Sequence, residues 1–259
     1  MARVTRITSR SNPLLMRLRK LADEGAAYRR DGLVLLEGVN LCTAWRARAE
    51  APVTQAIVTE AAWDEPRLRM LAEAAAEVAV VSGAAMASLG SLDSPASIAF
   101  LIAAPRAAAI RPAAPTVVLD RVQDPGNAGA VLRSAAAFGF TQVIALAGTV
   151  ALWSPKALRA GMGAHFGLDL VESVAADALA GLAVPLLATS SHAEERVDVF
   201  DLPWPCAWVF GHEGQGVAGE VTAHCRAVLR VPQPGGQESL NIAAAAAICL
   251  YESARRRAG

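Results

Sequence analysis

The second half of this chain repeats one local pattern: a run of four or five apolar residues that stops abruptly in a loop of glycine, proline and polar residues. Thr116–Leu119, Ala207–Phe210 and Ala227–Val231 are such runs, and Gln142–Leu146 and Pro185–Ala188 share their character. A strand with one face in solvent alternates apolar and polar residues, whereas a strand buried on both faces is apolar throughout. Segments with helical character, Ala128–Phe138 and a terminal stretch from about Ser239 to Arg256, supply covering layers. The pattern predicts an α/β fold built on a parallel sheet covered on both faces.

The first part of the chain carries the same alternation at lower contrast. Helical spacing covers Pro13–Ala22, Val39–Ala49 and Pro66–Ala76, while Leu33–Leu36, Ala56–Thr59, Val78–Val81 and Ile98–Ala103 read as strands. Residues 105–115 are rich in alanine and proline and lack any period, which marks a connecting segment. At 259 residues the chain exceeds one average domain. The expectation is a small α/β domain over 1–104, a linker over 105–115 and a second α/β domain over 116–259.

Composition narrows the classes. Hydrophobic residues reach 54% and the mean hydropathy is +0.34, with much of both supplied by alanine. The most apolar runs, Ala96–Ala104 and Ile242–Leu250, are far shorter than the roughly 20 residues a bilayer crossing needs, so no membrane partner is expected. The opening Met1–Arg6 is basic and polar, unlike a secretory leader, and a cytoplasmic location is expected. Cys42, Cys206, Cys225 and Cys249 are scattered, with no Cys-x-x-Cys pair, so reduced thiols and no metal are expected. Twenty-four basic residues balance twenty-four acidic ones, yet the first thirty residues hold eight basic against two acidic. That local excess fits a phosphate-binding face and a solvated helix face equally well.

Three loops in the second half hold residues that packing does not require, each following a strand, where open α/β sheets bind ligands. In the first, Asp120-Arg-Val-Gln-Asp-Pro-Gly-Asn127, the Pro125-Gly126 pair makes a turn, Asn127 is placed to cap the next helix, and Arg133 lies on its first two turns. The second, Gly211-His-Glu-Gly-Gln-Gly216, spaces three glycines around Glu213. Glycine lets a backbone approach a ligand closely and take positive φ. This loop is neither a dinucleotide fingerprint nor a P-loop. The third, Val231-Pro-Gln-Pro-Gly-Gly-Gln-Glu-Ser-Leu-Asn241, enters a helix with Ser239 or Asn241 near its start and a run of alanines beyond.

In this order and at these separations, the three segments resemble the SpoU (TrmH-like) branch of the SPOUT methyltransferases. That family's signatures are Asp-x-x-x-Asp-Pro-x-Asn-x-Gly with a following arginine, Gly-x-Glu-x-x-Gly, and Pro-x-x-Gly leading to Ser-Leu-Asn. The likeness runs from about Val117 to Tyr251. Ser11-Asn-Pro13, Tyr28-Arg-Arg30 and Leu36-Glu-Gly38 are similar, more loosely, to the family's substrate-recognition domain. The resemblance implies a Rossmann-like parallel sheet whose carboxyl-terminal part is tied in a deep trefoil knot, preceded by a ribosomal-protein-like α/β domain. It also implies S-adenosylmethionine-dependent methylation of a ribose 2′-hydroxyl in RNA, ribosomal RNA in preference to transfer RNA, by a homodimer.

Carried over by position, Thr189, Gly211, Val231 and Leu240 would hold the methyl donor. Arg133 matches the arginine proposed as base in the family; because a guanidinium is almost never deprotonated in proteins, its implied role here is to orient the hydroxyl and stabilise the developing alkoxide. Asn127 and Glu213 would fix Arg133 and the loop, and Ser239 and Asn241 would position the nucleotide. Arg10, Asn12, Arg29 and Arg30 would contact RNA. Two positions depart from the family pattern: Gln233 stands where methionine is frequent, and His212 where asparagine or alanine is usual. Two rival readings are a non-catalytic RNA-binding protein, which the intact polar set argues against, and a Rossmann oxidoreductase, which lacks its glycine fingerprint here.

Overall fold

The computed structural model describes residues 2–9, 11–48, 51–89, 95–236 and 239–257. The chain forms two compact units, one of residues 1–106 with 153–166 and the other of 107–152 with 167–259.

The first unit contains β1 (Arg3–Ile7), α1 (Pro13–Asp23), α2 (Ala27–Asp31), β2 (Leu33–Glu37), α3 (Val39–Arg48), β3 (Val53–Thr59), α4 (Glu60–Asp64), α5 (Pro66–Ala72), β4 (Ala75–Val81), α6 (Gly83–Ala87) and β5 (Ile98–Ala103). Ala49, read as the last residue of the third helix-like segment, lies outside the described residues. The sheet order is β1-β4-β3-β5-β2, with β5 antiparallel to both its neighbours and β1, β4 and β3 parallel. Helix α1 shows how sequence becomes packing. Pro13 opens it behind Asn12, whose side chain accepts the N–H of Leu14, and Leu15, Leu18 and Leu21 form one buried stripe. Those leucines meet Ile57, Val81 and Leu101 of the sheet. Fully burying each such side chain stabilises by about 1.5–3 kcal/mol.

The second unit contains β6 (Thr116–Leu119), α7 (Pro125–Ala137) and β7 (Gln142–Leu146). Next in the chain comes α8 (Pro155–Gly161), which belongs to the first unit, and then β8 (Asp169–Val174), β9 (Leu186–Thr189), β10 (Glu195–Arg196), β11 (Ala207–Phe210), α9 (Gly219–Thr222), β12 (Ala227–Arg230) and α10 (Ile242–Arg257). All seven strands are parallel, in the order β10-β12-β9-β11-β6-β7-β8. The chain reaches β9 and β10 before it returns to insert β11 between β6 and β9, and then β12 between β9 and β10. Phe210 pairs with Leu119, Val209 with Ala188 and Leu229 with Thr189, so β6, β9, β11 and β12 end together at one edge of the sheet. Helix α10 packs on α7, and its Ser253 accepts a 2.8 Å hydrogen bond from the indole of fully buried Trp208 on β11.

Residues 105–115 hold no helix or strand, but their second half is fixed to the second unit. Ala108 donates its N–H to Leu170 O, the Gln142 side chain accepts the N–H of Arg111, and Arg111 pairs with Asp169 at 2.6 Å. Sequence periodicity missed α8, which is only seven residues long, and its place in the first unit is a fact of tertiary contact. Leu158 is fully buried there, Arg159 pairs with the largely buried Glu37 at 3.2 Å, and Phe166 meets Trp45 edge-on at 5.1 Å. Burial raises the Glu37 carboxyl above its ordinary pKa, opposed by Arg159. No helix among the described residues is long and apolar enough to cross a membrane.

Candidate active site

The four strand ends of the second unit release four loops at one edge, and those after β9, β11 and β12 line an open cavity of about 990 Å³, to which the loop after β6, Asn127 and Arg133 contribute no lining residue. Thr189 at the end of β9, Gly211 after β11, Val231 after β12 and Leu240 before α10 all line it. So do Glu213, Ser239 and Asn241. Seven of the residues singled out from sequence therefore share one cavity.

The wall built by 211–218 closes on itself. His212 donates its N–H to Gly216 O at 3.0 Å and accepts from Gly216 N at 2.8 Å, while Gly216 takes φ of +69°. Gly211 faces the crossing strand of this loop so closely that a Cβ would collide with the backbone of Gly216 and Val217. Glycine is thus required here by contact, and at Gly216 by its left-handed φ.

The three signature segments are joined by one chain of hydrogen bonds. Asn241 Nδ2 donates to Asn127 Oδ1 at 3.0 Å, and Asn127 Nδ2 donates to Glu213 Oε1 at 3.1 Å. Glu213 also accepts the backbone N–H groups of Gln123 and Asp124, at 3.1 and 3.2 Å. Partial burial raises the Glu213 pKa, but these donors outweigh it, together with the residue's own N–H, and hold the carboxyl below the usual glutamate range. Asn241 Oδ1 simultaneously accepts the N–H groups of Ala243 and Ala244, at 2.9 and 3.4 Å, closing the first turn of α10.

Two helix starts differ from the sequence reading. Helix α7 begins at Pro125, and its cap is Asp124, whose Oδ1 accepts the Asn127 N–H at 2.8 Å; Asn127 does not cap it. Proline suits the first helical position, so the turn read at Pro125-Gly126 is the first turn of the helix. Helix α10, read from about Ser239, begins at Ile242, and of the two residues the sequence offers at its start it is Asn241 that satisfies the first turn. With Asp124 as the cap of α7, the Asn127 side chain bridges Asn241 and Glu213.

Arg133 lies exposed on the third turn of α7 and makes no hydrogen bond or ion pair among the described residues. In the first unit, Asn12 caps α1, Arg29 lies over the Tyr28 ring at 5.7 Å, and Arg30 pairs with Glu24 and Asp31 at 3.0 and 2.9 Å. Arg10 lies outside the described residues.

Sequence reasoning passed over a second brace. Asp120, 2% exposed, accepts from Arg121 at 3.0 and 3.2 Å and from the Ala218 N–H at 2.7 Å. Arg121, held at φ of +57°, continues to Gln215 Oε1 at 2.9 Å and Gly216 O at 3.4 Å, so this pair ties the end of β6 to the glycine loop. The signal was present in the two aspartates four residues apart that precede Pro125.

The backbone N–H and C=O groups of Gly211, Val231 and Leu240 hydrogen-bond to no other described residue, although Gly211 is buried. Buried peptide groups rarely lack partners, so this wall is chemically suited to a ligand that carries both donors and acceptors.

Comparison with known proteins agrees with this geometry. The model of the SpoU rRNA Methylase family matches residues 114–251. An uncharacterized tRNA/rRNA methyltransferase of Synechocystis sp. is 32% identical over 98% of this chain and 95% of its own length. A 23S rRNA (guanosine-2′-O-)-methyltransferase of Xylella fastidiosa is 38% identical over 54% of this chain, a match that spans only 58% of that relative. The crystal structure of an AdoMet-bound rRNA methyltransferase from Sinorhizobium meliloti superposes with a TM-score of 0.86 at 25% identity, covering 98% of both chains. The matched stretch contains all three loops and both braces, and with them this chain belongs to the SpoU rRNA methylase family.

Proposed function

We propose that this protein transfers a methyl group from S-adenosylmethionine to a ribose 2′-hydroxyl of RNA, with ribosomal RNA preferred to transfer RNA. The observation that carries the reading is the Asn241–Asn127–Glu213 bridge, which ties the first signature loop to the two that line the cavity. The donor set fits the cofactor. Peptide groups of Gly211, Val231 and Leu240, unpartnered among the described residues, suit the polar edges of adenine and ribose, and apolar Leu229, Val231 and Ile242 suit the flat base. When bound, S-adenosylmethionine supplies an electrophilic methyl on a sulfonium.

The remaining work falls to this chain's own side chains. Arg133, exposed and without a hydrogen-bond or ion-pair partner among the described residues, orients the ribose hydroxyl and stabilises the charge that develops on its oxygen. Asn127, Glu213 and Asn241 hold the three loops in register, and Ser239 positions the nucleotide. Thr189 completes the donor pocket; its hydroxyl donates to Val209 O at 3.4 Å, which ties β9 to β11. The first unit recognises structured RNA through its basic opening residues, with Arg10, Asn12, Arg29 and Arg30 in contact with the phosphate backbone. The late insertion of β11 and β12 is consistent with a carboxyl-terminal trefoil knot, and the enzyme works as a cytoplasmic homodimer.

Incubating the purified protein with methyl-labelled donor and unmodified ribosomal or transfer RNA tests the reading. Label in ribosomal RNA as an alkali-resistant dinucleotide is expected. Label on a base, or no transfer to any RNA despite donor binding, overturns it; the second result would favour a non-catalytic RNA-binding protein.

A further inference from the structure

The tip of the glycine loop is held by a group that can change its charge. The two His212–Gly216 hydrogen bonds close the base of this loop, and Glu213 and Gln215, on either side of Gly214, are tied by their side chains to the segment after β6. Gly214 is held by the partly buried His212, whose ring Nδ1 accepts the Gly214 N–H at 3.0 Å, the one hydrogen bond that N–H makes among the described residues. A peptide N–H can only donate, so Nδ1 presents a lone pair and the neutral ring keeps its proton on Nε2. A second proton has to go to Nδ1, where it faces the Gly214 N–H as one donor against another. Residues 211–216 all line the cavity, so the shape this bond sets is the shape of the cavity wall.

Among the described residues the other ionisable side chains that line the cavity are Glu213, whose carboxyl is held below the usual glutamate range, and His192 from the loop after β9; the loop after β12 and the start of α10 contribute none. From the end of β6, the Asp120–Arg121 ion pair reaches the same loop at Ala218 N, Gln215 and Gly216 O. Of these groups only imidazoles ordinarily change charge between about pH 5 and pH 8. We infer that His212 is a positioning residue for the methyl donor: with Nδ1 unprotonated it holds Gly214 in the wall that the donor fits, and a proton there releases it. This rests on the reading of the cavity as the methyl-donor site and gives that site a dependence on acidity. Binding to the protonated form has to restore the closed loop against two opposed donors, so affinity falls as the protonated fraction grows.

The test is titration calorimetry of S-adenosylhomocysteine with the full-length protein at about pH 7.5 and about pH 5.5, within the range where an imidazole ordinarily titrates. The unaltered protein is expected to lose about three- to tenfold in affinity at the lower pH, the worth of one hydrogen bond. In His212→Asn, whose side-chain oxygen can accept the N–H two residues on without titrating, the acid loss is expected to vanish. His212→Leu, with no acceptor, is expected to bind more weakly than His212→Asn at the higher pH. His192→Asn is expected to keep the acid loss, and any titration of the ligand is common to all four proteins. No acid loss in the unaltered protein, a loss that persists in His212→Asn or disappears in His192→Asn, or equal affinities of His212→Asn and His212→Leu at the higher pH overturn the assignment and leave the methyl-donor site intact. Failure of the unaltered protein to bind S-adenosylhomocysteine at the higher pH removes the donor site itself, and this inference with it.

Discussion

The closest contact in the cavity wall gives the sharpest prediction. In Gly211→Ala the new Cβ would collide with the backbone of Gly216 and Val217, groups that cannot swing aside as a side-chain tip can. Relief requires the loop to open, which breaks both His212–Gly216 hydrogen bonds. At about 1 kcal/mol for each bond, plus about 1–3 kcal/mol for overpacking, reclosing the wall around a ligand costs about 3–5 kcal/mol. Each 1.4 kcal/mol is tenfold in affinity, so S-adenosylhomocysteine should bind at least ~100-fold more weakly, as read by titration calorimetry. Gly214→Ala in the same loop is the control: its Cβ would meet only the His212 ring at 3.8 Å, an ordinary contact, and affinity should stay within about threefold. Near-native binding by Gly211→Ala, or equal losses in both variants, would refute the argument that this close approach shapes the site.

Other perturbations probe the bridge and the proposed catalytic arginine. A double-mutant cycle over Asn127→Ala and Asn241→Ala should give a coupling of about 0.5–1.5 kcal/mol in urea unfolding of the second unit, because each removes the same 3.0 Å bond; strict additivity would show that the bond contributes nothing. Glu213 has its folded pKa depressed, so its stabilisation is fully present above the ordinary glutamate value of about 4.3 and disappears as pH falls through the lower folded value. Urea midpoints of Glu213→Gln should therefore fall below those of the unaltered protein at neutral pH and converge with them in acid; a pH-independent gap would contradict this. Arg133→Ala should leave unfolding and donor affinity almost unchanged, since the side chain is exposed and unpaired among the described residues, while methyl transfer to RNA falls at least ~100-fold; normal turnover would remove Arg133 from the chemistry.

The parallel sheet was legible because its strands are buried on both faces, which leaves an unbroken apolar run with sharp ends. Thr116–Leu119, Gln142–Leu146 and Ala207–Phe210 have the same limits in sequence and structure. Strands at the margins were not legible for the opposite reason. β1 is an edge strand with four exposed residues out of five, and β10 has only two residues, both exposed. The cavity residues were legible as motifs, but their wiring was not. That Asp124 rather than Asn127 caps α7 depends on where the proline places the first turn, and the Asp120–Arg121 brace depends on a left-handed backbone at a non-glycine residue, which composition does not announce. Strand order lay beyond periodicity altogether, since nothing local tells β11 to enter between two strands already made.

The excursion of residues 153–166 into the first unit means that the polypeptide passes between the units three times. During synthesis the leading unit cannot be completed when its own sheet emerges, because Leu158, Arg159 and Phe166 are still about fifty or more residues away in the queue after Ala103. Anyone grafting this front piece onto another enzyme would have to transplant a short helix from the middle of the rear one, or leave Glu37 without its cation and Trp45 without its ring neighbour.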